Sequence, residues 1–430
     1  MKNYKDMTKA LLNFIDNSPS PFHAVANLKD MAVKAGFIEL KEAEDWQLVP
    51  GGSYFVTRND SSIAAFRIPK NFGAEKKNAA FHIVAAHSDS PIFKIKEKPE
   101  MKVDEQYVKL NTEKYGGMIM STWFDRPLSV AGRITLKENG KIVSKLVNVE
   151  KDLCVIPSLA IHMNRDANKG TEFNAQTDML PLFSQCKDVE SFMEVIAKAA
   201  DVQADEILGH DLFLYVREQG LVFGSGEEFV LSPRLDDLQC AFSAMSAIVE
   251  SNPVENISVC AIFDNEEVGS GTRQGADSTF LSDILVRIKE AFDLSDSRLR
   301  QMIANGLLIS ADNAHAVHPN HPEKADPTNR PYINGGVVIK YHGSQKYTTD
   351  AFTAAVLKEL CKEAEVPVQT YANRSDIPGG STLGNISTAH VSIPSVDIGL
   401  PQLAMHSAVE TAGNADTAYA IQLFRTFYQK

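Results

Sequence analysis

Ile257-Ser258-Val259-Cys260-Ala261-Ile262-Phe263-Asp264-Asn265-Glu266-Glu267-Val268-Gly269-Ser270 is the stretch that decides how this chain reads. The apolar run from Ile257 to Ile262 has the length and character of a buried strand. Two adjacent carboxylates at the exit of such a strand carry a heavy desolvation cost unless positive charge offsets it. A metal cluster is the usual source of that charge. Neighbouring residues point in different directions, so Glu266 and Glu267 can hold different tasks, one on a metal and one on a water. Alone, the pair would read as a solvated acidic loop.

Working outward, helices and strands alternate on both sides of this run. A helix is expected at about 237–250 before it and another at 278–292 after it, followed by the strand Leu307-Leu308-Ile309-Ser310. Val337-Val338-Ile339 is a further strand, then come a helix at 348–364, a strand from Val391 to Ile398 and a last helix at 415–428. Such alternation means an α/β fold, a three-layer sandwich around a mostly parallel central sheet. Upstream, Phe81-His82-Ile83-Val84-Ala85-Ala86 is a continuous strand that delivers His87 at its end. Residues 54–68 read as two short strands around Asn59-Asp60, and Leu11, Phe14 and Ile15 stand at helical spacing within 4–16. Ser20-Pro21 offers an N-cap followed by a first-turn proline, and Gly36 a stop.

The middle of the chain differs. Between about 99 and 225 the β-branched and aromatic content rises, with a hairpin signal at Asn139-Gly140. Leu212-Phe213-Leu214-Tyr215-Val216 and Leu221-Val222-Phe223 close that region, and some helix is expected near 189–200. The expected organisation is one catalytic unit in two parts, 1–98 and 226–430, interrupted by a mainly-β insertion at 99–225.

Composition narrows the class. At 430 residues the chain exceeds one ordinary core, which agrees with a unit carrying a large insertion. Its 43 basic and 55 acidic residues give a net charge of −12, spread along the sequence, which argues against nucleic acid or an anionic membrane as partner. No apolar run approaches the roughly 20 residues of a membrane span. Met1-Lys2-Asn3-Tyr4-Lys5-Asp6 leads into an amphipathic helix and lacks a signal-peptide core. Cys154, Cys186, Cys240, Cys260 and Cys361 are scattered, odd in number and without a Cys-x-x-Cys pair. They read as reduced thiols of a cytoplasmic protein, and their spacing excludes structural zinc of the cysteine type.

The candidate metal ligands are His87, Asp236, Glu267, Asp312 and His406. His87, Glu267, Asp312 and His406 follow strands, whereas Asp236 precedes a helix. In open α/β sheets, sites form at the carboxyl ends of strands. Two histidines and three carboxylates suit two divalent cations, roughly 3.5–4 Å apart, sharing a bridging carboxylate. Mixed nitrogen and oxygen ligation fits zinc, with manganese or cobalt as substitutes. Asp236 is the candidate bridge. Asp89, two residues beyond His87, is placed to accept its second imidazole proton. Glu266, left without a metal, is placed as general base. Each position has a plainer reading: a surface histidine, an N-cap at Asp236, a turn residue at Asp312. Five coincidences at five element boundaries favour the metal reading.

These residues sit in segments that resemble the aspartyl aminopeptidase family, metallopeptidase family eighteen, which includes vacuolar aminopeptidase I. The segments are His87-Ser88-Asp89-Ser90-Pro91, Ser232-Pro233-Arg234-Leu235-Asp236, Asp264 to Ser270, Ala311 to Asn320 and Pro401 to Ser407. The likeness runs from Ser18 to beyond His406. It implies a zinc aminopeptidase with the same five ligands, two zinc ions per subunit and Glu266 as base. It also implies that the 99–225 insertion is a dimerisation domain and that dimers assemble into a dodecamer. His162 matches a histidine that reaches a neighbouring subunit's site and stabilises the reacting carbonyl, or, as a lesser alternative, ligates zinc. Lys340 matches the lysine that meets an acidic substrate side chain, and Asp312 and His315 are counted with it among the substrate-binding residues. From the residues alone, Lys340 reads equally well as a solvated edge-strand lysine. Asp237 departs from the family's usual Asn, and the lining of the Ser375 to Thr382 loop differs, which leaves the preferred amino-terminal residue open. The expected activity is removal of amino-terminal residues from peptides. The alternatives are a metal-dependent amidohydrolase of N-acyl amino acids and a non-enzymatic assembly protein on the same fold.

Overall fold

The structure is a computed structural model and describes residues 4–73, 79–187 and 189–430; Met1, Lys2 and Asn3 of the amino-terminal reading lie outside them. It is a mixed α/β fold of three sheets among the described residues. The largest has nine strands, in spatial order Ile38–Leu40, Ser53–Arg58, Ser62–Arg67, Ile257–Phe263, Phe81–His87, Leu307–Ala311, Ser395–Gly399, Val337–Tyr341 and Val368–Ala372. Its centre is the part that matters for chemistry. Ile257–Phe263, Phe81–His87, Leu307–Ala311 and Ser395–Gly399 run side by side in parallel, so their carboxyl ends share one edge. Phe263 lies opposite His87 in register, which brings the Glu266-Glu267 turn beside that histidine.

Alternate residues of these strands feed two apolar clusters, as the two-residue period requires. Val84, Ala86, Cys260 and Ile262 pack with Leu11, Leu28, Leu238 and Phe424 from helices Tyr4–Asp16, Pro21–Lys34, Leu235–Glu250 and Asp416–Tyr428. Ile83, Ala85, Val259 and Phe263 pack with Phe280, Ile284 and Ile288 from helix Phe280–Ala291. Each such large side chain, fully buried, contributes roughly 1.5–3 kcal/mol. The capping signals act as read: Ser20 accepts from the His23 N–H, Pro21 opens its helix, and Gly36 follows the helix end at φ +81°.

The middle of the chain forms a six-stranded antiparallel sheet in the order Lys141–Asn148, Leu128–Glu138, Gly209–Val216, Ile92–Val103, Tyr107–Tyr115 and Leu182–Gln185. Asn139-Gly140 makes its tight turn with φ +49° and +80°, as a two-residue hairpin demands. The helix expected near 189–200 is Phe192–Ala200. Three expectations need correction. The division at 98/99 falls inside the strand Ile92–Val103, at a register shift between Ile95 and Glu100 where Pro99 has no N–H to give. Leu221–Phe223 does not close this sheet; it pairs with Phe229–Ser232 in a separate five-stranded sheet with Glu410–Gly413, Pro401–Leu403 and Ala314–His315. The strand expected from Val391 begins only at Ser395, because a helical turn ends at Ser387 and Pro394 cannot donate to a ladder.

Candidate metal centre

Asp236 is the hub. It sits in the first turn of helix Leu235–Glu250, next to a cis Asp236–Asp237 peptide, and is buried. Its Oδ1 lies 3.6 Å from His87 Nε2 and its Oδ2 lies 3.4 Å from His406 Nε2, so one carboxylate faces an imidazole on each side. His406 Nε2 is also 3.4 Å from Glu267 Oε1. Ligating atoms of His87, Asp236 and Glu267 fall within 4.8 Å of one another, as do those of Asp236, Asp237 and Asp312. The sequence-derived set of five therefore converges at the shared strand edge, with Asp236 common to both groups.

Each member is held by neighbours. His87 Nδ1 is 3.1 Å from the Asp89 backbone oxygen and 3.3 Å from its Oδ1, so Asp89 meets that imidazole by two routes. The Asp89 carboxylate also accepts the backbone N–H of Glu266 at 3.1 Å and of Glu267 at 3.2 Å. Asp237 Oδ2 accepts the His87 N–H at 3.1 Å, so a second buried carboxylate helps fix that histidine. Glu410, unremarked in the sequence, is buried and accepts the N–H of Asp236 at 3.0 Å and of His406 at 2.7 Å. Nothing local marks it, because it lies on a short strand far along the chain from one of its partners.

The charges do not balance with the protein's own groups. Burial pushes the Glu266 carboxyl up to about 8, opposed by His87 and reinforced by Asp312. Burial and Asp236 hold Glu267 well above the usual carboxylate range. Asp312 rises to about 6 through burial, although Lys340 opposes it. His406 loses to burial but gains more from its hydrogen bond to Asp236 and the charge of Glu267, ending at about 10. The isolated cluster thus keeps protons on groups that a divalent cation would strip. Asp236 Oδ1 is buried without a hydrogen-bond partner, an orphan of the sort a cation satisfies. The donor set of imidazole nitrogens and carboxylate oxygens fits zinc.

Lys340 is buried on the inner strand Val337–Tyr341, flanked on both sides, which overturns the reading as a solvated edge-strand lysine. Its Nζ donates to the Asn313 carbonyl at 2.9 Å and stands 3.7 Å from Asp312 Oδ2. His315 is exposed, its ring edge-on to Tyr371 at 6.0 Å between centroids. His162 is exposed in an irregular segment and belongs to neither ligand group of this chain.

The fold and this centre define a class, an α/β protein whose buried histidine–carboxylate cluster is built for divalent metal. The family described as Aminopeptidase I zinc metalloprotease (M18) matches residues 14–428. A probable M18 family aminopeptidase 2 of Clostridium acetobutylicum is 47% identical over 434 residues, covering 100% of both chains. Its namesake in Pseudomonas aeruginosa is 40% identical over 430 residues and 98% of each. Among solved structures, Ape4 in its cryo-EM complex with Nbr1 superposes with TM-score 0.95 at 38% identity, over 99% of this chain and 86% of that one. The S. cerevisiae mApe1 dodecamer gives TM-score 0.86 at 28% identity, over 99% and 97%. The chain belongs to the M18 family of zinc aminopeptidases. No helix among the described residues is long and apolar enough to cross a membrane.

Proposed function

We propose that His87, Asp236, Glu267, Asp312 and His406 would together hold two zinc ions per chain, with Asp236 as their common ligand. The observation that carries this reading is the position of the Asp236 carboxylate between two imidazoles, at 3.6 and 3.4 Å. Manganese or cobalt would serve the same donors. The chemistry that zinc held by these residues would supply is Lewis acidity toward a scissile carbonyl and a water. Glu266, its N–H fixed by Asp89, takes the proton of the attacking water on its carboxylate and delivers it to the leaving amine. The surplus of carboxylates beside the cluster suits a free α-amino group, which makes the enzyme an exopeptidase.

Lys340 and Asp312 line the place for an acidic amino-terminal side chain, with His315 at its rim. Lys340 already has an anion in Asp312, so an acidic substrate would share that cation with it. His162 completes the site of a neighbouring copy. Its exposure beside Leu159, Ile161 and Met163, which are 60%, 45% and 76% exposed, supports an interface there. The six-stranded sheet then serves as the dimerisation domain of a dodecamer like that of its relative. The two apolar clusters on opposite faces of the nine-stranded sheet support the three-layer reading. Five free cysteines support a reducing compartment, the cytoplasm.

The test is hydrolysis of a panel of aminoacyl-p-nitroanilides, with N-acetyl amino acids alongside, before and after chelation and re-addition of zinc, manganese or cobalt. Cleavage lost to chelator and restored by metal, with Asp and Glu preferred and that preference removed by Lys340→Met, is the expected result. A preference unchanged in Lys340→Met removes Lys340 from the substrate pocket.

A further inference from the structure

Three consecutive residues at the end of strand Tyr107–Tyr115 touch three different parts of the centre. Tyr115 donates its hydroxyl to Asp89 Oδ2 at 2.6 Å and accepts from Asn265 Nδ2 at 2.8 Å. Asp89 in turn holds the N–H groups of Glu266 and Glu267 and faces His87 Nδ1. The tyrosine ring is fixed within its own sheet, edge-on to Phe213 at 5.9 Å. Gly116, at φ +80°, lies so close to the acidic turn that an added Cβ would stand 3.1 Å from Glu267 Cβ and 3.3 Å from Pro91 Cα. Gly117 offers its carbonyl oxygen to His406 Nδ1 at 2.7 Å, while the Ile119 N–H donates to the His406 carbonyl at 2.9 Å. A proton held on Nδ1 by that carbonyl leaves the Nε2 lone pair free toward Asp236 and Glu267.

We infer that Tyr115-Gly116-Gly117 is a positioning clamp, through which the six-stranded sheet sets the affinity of the centre for metal and the placement of Glu266 and Glu267. The inference rests on reading the cluster as the zinc site. It assigns the six-stranded sheet a task inside each chain, separate from assembly. None of the three residues offers a side-chain ligand; they act through Asp89, Glu267 and His406. Tyr115 carries the most of this, because its one hydroxyl joins the sheet both to Asp89 and to Asn265, the residue before Glu266. The backbone carbonyl of Gly117 needs no particular side chain, but a bulkier residue at Gly116 would force the Glu267 turn away from the strand.

The test compares Tyr115→Phe with Tyr215→Phe, which deletes a like hydroxyl from the same sheet, one bonded to Asn148. Metal-free proteins are titrated with cobalt(II) by absorbance, and the reloaded enzymes are assayed for kcat and KM. Tyr115→Phe should bind cobalt roughly 10–100-fold more weakly and lose kcat on a similar scale, the cost usual for groups that orient metal ligands. KM should move little, and Tyr215→Phe should match the parent in both readouts. If Tyr115→Phe does not fold, Gly116→Ala replaces it with the same expectation. Parental cobalt affinity and kcat in the folded variant overturn the clamp while leaving the metal centre standing. Failure of the parent protein itself to take up cobalt overturns both.

Discussion

Glu410 is the residue whose removal isolates the logic of the centre. Its two oxygens accept from two different backbone N–H groups, those of Asp236 and His406, in a buried setting. Glu410→Gln keeps the shape but turns one acceptor into a donor. One buried N–H then faces an NH2 group and goes unsatisfied, at a cost of roughly 1–3 kcal/mol. The variant should therefore unfold at lower denaturant concentration and bind zinc more weakly, although no proposed ligand has been touched. Unchanged midpoint and affinity would show that the Glu410 contacts do not position the cluster. That His87, Asp236, Glu267, Asp312 and His406 come together was legible in the sequence because each stands at an element boundary with a short motif around it. Glu410 and Tyr115 were not, because their roles arise from contacts across 174 and 26 residues of chain, and nothing beside them in sequence reports such contacts.

Among elements, the central strand Phe81–His87 does two things at once. Its end delivers His87, and its second residue, His82, packs under the last helix. The His82 ring stacks on Phe427 at 4.4 Å, and its Nδ1 is 3.0 Å from the Phe427 carbonyl. Burial pulls His82 down to about 4, and His23 likewise falls to about 4. Both are depressed below the unfolded value near 6.5, so between pH 6.5 and 4 the unfolded chain takes up protons that the folded one refuses. Stability is therefore lost as pH falls through that window, by up to roughly 1.4 kcal/mol per pH unit for each histidine. His82→Gln should flatten the acid limb of a stability–pH curve by one histidine's share. An equally steep limb would place the acid sensitivity elsewhere. The same scale explains which elements were foreseen. Buried strands such as Ile257–Phe263 have an apolar signature, whereas Val368–Ala372, a partly exposed sheet edge with Gln369, Thr370 and Tyr371, has almost none.

At the scale of the molecule, the alternation of helices and strands was enough to foresee a mixed α/β fold, and the middle segment was recognisably β. The sheets themselves were harder to read, because sheet membership depends on pairing partners distant in sequence. Leu221–Phe223 follows Val216 closely yet pairs with Phe229–Ser232, and Glu410–Gly413 joins them from near the other end of the chain. The strand Ile92–Val103 crosses the expected division because it serves the insertion while starting just after His87. That continuity is the physical link between the metal centre and the six-stranded sheet. In the proposed mechanism Glu266 moves the proton while His87, Asp236, Glu267, Asp312 and His406 hold two metals. Zinc content together with kcat for Glu266→Gln separates these two roles. Glu266→Gln should retain two zinc ions per chain and lose roughly 10²–10⁴-fold in kcat, the usual contribution of a general base. Full activity with the metals in place would contradict that mechanism.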